Sequence, residues 1–131
     1  MNVFTEEIIR GDIAIQDGII AGIGSFHGKE ERDLAGRYVC PGFIDSHLHL
    51  ESTLVTPAEL VTAASRHGTT TFIVDPHESA NVSGLAGIDY ILDQTEDVKA
   101  NVYVMMPSCV PATAIDDNGC TLTAEDMVPY L

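Results

Sequence analysis

The chain has little positive charge. Six Lys and Arg stand against 20 Asp and Glu in 131 residues, giving a net charge of −14. A nucleic-acid partner needs a basic patch to meet its phosphates, and an anionic membrane surface needs the same, so both are disfavoured. The acidity itself speaks for solubility and self-repulsion. Cysteine is scarce too. Cys40, Cys109 and Cys120 are the whole supply, too few and too scattered for a disulfide framework or a CxxC zinc site. They suit a reducing compartment. No apolar run approaches the ~20 residues of a membrane span. The opening Met-Asn-Val-Phe-Thr-Glu-Glu has neither the basic nor the apolar part of a secretory leader. The expectation is a cytoplasmic protein. No internal repeat or low-complexity tract is visible.

What is present is an ordinary globular composition. The apolar fraction is 45%, as in soluble domains. A chain of 131 residues is about one domain long and can bury roughly two thirds of its unfolded surface. "DIAIQ" alternates apolar with polar residues, the period of a half-buried strand. Asp17-Gly18 then supplies a two-residue turn, and "IIAGIG" the return strand. "DLAGRYV" suggests another turn at Ala35-Gly36 with a strand after it, and "MNVFTEEI" reads as an internal strand. The first third is therefore a small antiparallel β unit.

The pattern changes at Pro41. "YVCPGFIDSHLHL" is a mostly apolar strand with little alternation, as when both faces are covered. "TPAELVTAASRHG" has the marks of a helix: Thr56 as N-cap, Pro57 at N1, Glu59 in the capping-box place and Gly68 at C′. Leu60, Ala63, Ala64 and His67 recur at helical spacing. "TTTFIVD" is a β-branched strand. Residues 83–97 form a helix with Leu85, Ile88 and Leu92 on one face, and "ANVYVMM" is a third strand. A loop runs from Pro107 to Gly119, and Thr123 caps a last helix. Strand–helix alternation of this kind means parallel βαβ units.

Chemistry concentrates at the strand ends. His47 and His49, at i and i+2 of a strand, point the same way about 6.6 Å apart. They can aim at one ion ~2.1 Å from each nitrogen. Glu51 continues that side if the strand persists. The plain alternative is a chance pair among five histidines. "DPHE" ends the second strand with Asp75, His77 and Glu78, next to the first strand end in a parallel sheet. The alternative there is a polar turn with Asp75 capping a helix. His67, before Gly68 at a helix C-terminus, reads as structural, and His27 as a solvated loop residue. In "MPSCVPAT" the residues Ser108, Cys109 and Thr113 can line a pocket. A nucleophilic Cys109 would need a basic partner, so it reads as pocket wall.

These stretches resemble a known family. "PGFIDSHLHLES" is similar to the first barrel strand of the amidohydrolase superfamily. "DIAIQDGIIAGIG" and "DLAGRYV" resemble the small β-sandwich that those enzymes build from their chain ends. "HLHLESTLVTPAEL", "HGTTTFIVDPHESANVSGL" and "PSCVPAT" together resemble the adenine deaminases. Dihydroorotases and hydantoinases share the HxH but normally lack the other two motifs. The resemblance covers nearly the whole chain.

The resemblance implies an α/β fold: the first three units of a TIM-type (β/α)₈ barrel over residues 39–131, after an incomplete antiparallel β-sandwich segment over 1–38. It implies hydrolytic deamination of adenine, a purine base, to hypoxanthine and ammonia, in an enzyme expected to be a homo-oligomer at full length. A divalent metal, manganese or iron with zinc as a further candidate, would activate the attacking water. His47 and His49 would be ligands, with His77 a further one. Glu51, Asp75, Glu78, Ser108 and Cys109 would contact substrate or support the ligands. A (β/α)₈ barrel takes about 250 residues, and this chain supplies three strands. The remaining ligands and the catalytic aspartate would lie beyond Leu131, so the chain is expected to hold no catalytic residue and to be inactive alone. The alternatives are another amidohydrolase acting on a cyclic amide or aminopurine, and a non-catalytic truncated remnant.

Overall fold

Asp17 and Gly18 adopt φ of 52° and 77°, the positive values that a two-residue hairpin turn demands. They join β1 (Asp12–Gln16) to β2 (Ile19–Gly24) as an antiparallel pair with a bulge at Ala14/Ile15. The structure is a computed structural model and describes residues 1–130. Ala35 and Gly36 also turn with positive φ, but no strand follows at 37–39. A strand needs a partner edge, and here the Arg37 N–H closes the turn onto the Leu34 carbonyl instead. The opening segment is not a strand either. Asn2 and Glu7 form a single bridge across a tight turn, in which the Asn2 side chain accepts from the Phe4 N–H.

The chain divides into two compact units, Met1–Pro41 and the residues from Gly42 on. The second unit is a parallel three-stranded sheet in the order β3 (Phe43–Leu48), β4 (Thr69–Val74), β5 (Asn101–Val104). α1 (Pro57–Ser65) links the first two strands. α2 (His77–Ser83) and α3 (Leu85–Thr95) link the next two. α4 (Ala124–Met127), with a capping box between Thr123 and Asp126, is followed by a 3-10 turn at Val128–Tyr130. The architecture is thus mixed α/β, with a small antiparallel sheet and a parallel sheet. No helix among the described residues is long and apolar enough to cross a membrane.

Local chemistry explains α1. Thr56 accepts a hydrogen bond from the Glu59 N–H, and Pro57 occupies the first position, where its missing N–H costs nothing. Its buried face centres on Val61, with Leu60 and Ala64 beside it; Ala63 and His67 face solvent. Thr56→Ala is expected to lower stability by about 1 kcal/mol. The check is a lower urea midpoint at unchanged slope.

The expected helix over 83–97 is present as α3, and an unexpected helix, α2, comes before it. Gly84, with φ 61° and ψ −138°, separates the two, a conformation that glycine adopts at least cost. Two cores result. Leu50, Val61, Phe72, Val74 and Ile91 form the larger one under the sheet. Ala80, Ile88 and Val110 form a second, with Leu85 and Leu122 against it. β3 departs from expectation as well. Phe43 and Ile44 are 61% and 62% exposed. An apolar run records that a strand suits burial without saying what covers it, and here β3 pairs only with β4.

Candidate metal centre

Parallel pairing sets the site. Leu48 lies opposite Val74, so β3 and β4 end side by side, and the Asp75 N–H donates to the Leu48 carbonyl at 2.8 Å. His47 and His49 leave the same side of the chain, as the two-residue period requires. Their Nε2 atoms are 3.2 Å apart and their rings meet edge to face at 84°. One ligand-capable atom each from His47, His49 and Asp75 lie within 4.8 Å of one another.

The other nitrogen of His49 fixes its tautomer. Nδ1 lies 2.9 Å from the Asp75 carbonyl and 3.0 Å from Glu78 Oε2. Both are acceptors, so the neutral ring carries its proton on Nδ1 and leaves the Nε2 lone pair turned toward His47. A carboxylate behind a ligating imidazole is the usual support of a metal site.

Glu51 reaches the cluster by another path than expected. The strand does not persist to it. Leu50 turns into the core, and Glu51–Thr53 form a 3-10 turn. The Ser79 N–H then donates to Glu51 Oε1 at 3.0 Å, and the Ser52 hydroxyl to Glu78 Oε1 at 3.0 Å. His49, Glu51 and Glu78 form a second group of ligand-capable atoms within 4.8 Å.

The two carboxyls are unequal. Burial pushes Glu51 above the usual carboxylate range, and the facing Glu78 adds to this, against the pull of the Ser79 and Glu51 N–H groups. Burial pushes Glu78 up too, but hydrogen bonds from the Glu51 carboxyl, its own N–H and Ser52, with the charge of His49, bring it below its ordinary value. Glu51 is therefore the member that takes up a proton more readily. Glu51 Oε2 is buried with no hydrogen-bond partner. Asp75 Oδ1 is likewise buried and unpartnered. A buried carboxylate oxygen with no donor, beside two imidazole nitrogens, suits a cation. This N,N,O donor set accepts several divalent ions.

Other residues singled out from the sequence stand apart. His77 is in the first turn of α2, half-buried, and belongs to neither group. Ser108 and Cys109 are exposed on the loop after β5, between the buried Pro107 and Val110, with 3.6 Å between Oγ and Sγ. His27 is exposed and paired with Glu31 at 3.3 Å. Sequence reasoning missed Ser52 and Ser79. Their only signal was position, one residue after Glu51 and one after Glu78.

The family model described as "Amidohydrolase family" matches residues 38–129. The chain belongs to the amidohydrolase family. Among relatives in that family, an adenine deaminase of Desulfitobacterium hafniense is 60% identical over all 131 residues of this chain, which cover 23% of its own length. An adenine deaminase of Clostridium acetobutylicum is 53% identical over 127 residues, 97% of this chain and 22% of that protein. One of Geobacillus kaustophilus is 48% identical over 130 residues, 99% of this chain and 22% of that protein. The chain therefore spans under a quarter of the length of these relatives. Enzymes of this family use a divalent metal, and the grouped His, Asp and Glu side chains can bind one.

Proposed function

We propose that this chain is the N-terminal part of a metal-dependent hydrolase that converts adenine and water to hypoxanthine and ammonia. The observation that carries the metal reading is the pair of Nε2 atoms 3.2 Å apart at the shared ends of β3 and β4, beside the unpartnered Asp75 oxygen. The substrate reading rests on the relatives, three of which are called adenine deaminase. In this reading residues 39–131 are the first three units of a (β/α)₈ barrel, and residues 1–38 belong to an antiparallel β-sandwich. The exposed Phe43 and Ile44 suit a strand that further barrel elements would cover. The full protein is a cytoplasmic homo-oligomer.

His47, His49 and Asp75 would hold the ion, manganese or iron, with zinc the third candidate; His77 is a further ligand only if α2 turns toward them. The ion supplies a Lewis acid and a water of lowered pKa. The chain's own residues do the rest. Glu78 and the Asp75 carbonyl hold the His49 Nδ1 proton in place, and so keep Nε2 a donor of electrons. Glu51, its carboxyl pushed up by burial, accepts from the Ser79 N–H at the edge of the site. Ser108 and Cys109 sit on an exposed loop that can flank a planar base. The net reaction breaks the bond between C6 and the exocyclic nitrogen and forms a C6–O bond.

Ammonia release and hypoxanthine formation test the reading. We expect both from the full-length protein and neither from residues 1–131 alone. Adenine turnover by the short chain would overturn its being an inactive part. A full-length protein that spares adenine but hydrolyses a cyclic amide or another aminopurine would move the assignment to that substrate class. One that binds no metal and turns over nothing would leave a non-catalytic remnant.

A further inference from the structure

α2 carries Glu78 and Ser79 at one end, and glycines grip it from two sides. A Cβ on Gly87 of α3 would lie 2.3 Å from the Ser79 carbonyl oxygen. A Cβ on Gly119, in the loop after β5, would lie 2.4 Å from the Val82 carbonyl oxygen. Both obstacles are backbone, so no side-chain rotation relieves them. The same loop also caps α2: the Gly119 and Cys120 N–H groups donate to the Asn81 carbonyl at 2.9 Å and 3.1 Å. That carbonyl is one that the end of a helix leaves unpaired. The loop is tied at its base where Val110 and Leu122 bridge.

We propose that Gly87 and Gly119 are positioning residues of the metal centre, seating α2 so that the Ser79 N–H meets Glu51 and Glu78 meets His49. The inference rests on the metal reading above. A seven-residue helix is about 10 Å long and shifts as one body. An added Cβ needs roughly an ångström more room to reach ordinary contact. The Ser79–Glu51 bond at 3.0 Å and the Glu78–His49 contact at 3.0 Å do not survive that displacement. Inside a helix alanine ordinarily favours folding over glycine. A loss of metal affinity in Gly87→Ala therefore runs against plain helix propensity.

The test is a Mn²⁺ titration of the full-length apoprotein, read by the electron paramagnetic resonance signal of free Mn²⁺, with the melting temperature measured alongside. Gly87→Ala and Gly119→Ala are each expected to bind Mn²⁺ about 10-fold more weakly, the low end for a lost supporting contact. Ala86→Ser, on the exposed side of α3, is expected to bind as wild type does. Folded glycine variants that bind Mn²⁺ with wild-type affinity overturn the inference alone. A wild-type protein that binds no Mn²⁺ overturns the metal reading and this inference together. If Gly87→Ala does not fold, Gly119→Ala decides. If neither folds, the inference is overturned, because the glycines then serve the core and not the site.

Discussion

Replacing both imidazoles, His47→Ala with His49→Ala, is expected to weaken Mn²⁺ binding to the full-length protein by more than about 100-fold, since loss of a mere supporting residue already costs 10–100-fold. Two of the three atoms that converge here come from these rings, whose Nε2 atoms are 3.2 Å apart. The third, from Asp75, cannot hold an ion against water by itself. His47 is exposed and His49 half-buried, so the double substitution opens no large cavity and the fold should persist. Glu78 loses one partner of its carboxylate but keeps the Ser52 hydroxyl. Equilibrium dialysis with Mn²⁺, Fe²⁺ and Zn²⁺ checks this. Equal binding by wild type and the double variant would remove the metal from this strand end. A result in which one ion alone is lost would name the metal that the site selects.

The parts of this site that local geometry fixes were legible in the sequence. The i, i+2 spacing of His47 and His49 has one outcome on a strand, and the rings do meet. The Asp17-Gly18 turn and the Thr56 cap are equally local. What was not legible depends on distant residues. Glu51 leaves the strand direction because Leu50 is drawn into a core with Phe72, Val74 and Ile91. α2 was not foreseen because "HESANVS" is poor in strong helix formers. It is held by a loop much later in the chain that caps Asn81, and by Ala80 packing on Ile88 and Val110. The strand expected over 37–39 failed for the same kind of reason, since a strand depends on an edge to pair with and not on its own residues.

Ile88→Ala is expected to destabilise the fold by about 2–5 kcal/mol, and Leu92→Ala by less than about 1 kcal/mol. Spacing alone puts Leu85, Ile88 and Leu92 on one face of the helix. The structure rotates that face: Ile88 and Ile91 are 0% and 1% exposed, while Leu92 is 39% exposed. Ile88 packs in the core beneath α2, and Ile91 in the core beneath the sheet. α3 is thus the element that ties the two cores, and its seat depends on Gly84 ending α2 where it does. Removing Ile88 empties the contact with Ala80, on the helix that presents Glu78 and Ser79 to the metal centre. Urea unfolding of the two variants separates the two orientations of α3. Equal costs would restore the face read from spacing. A large cost for Ile88 with little for Leu92 requires the rotated one, in which Ile88 packs against Ala80 on the helix that brings the Glu78 carboxylate to His49.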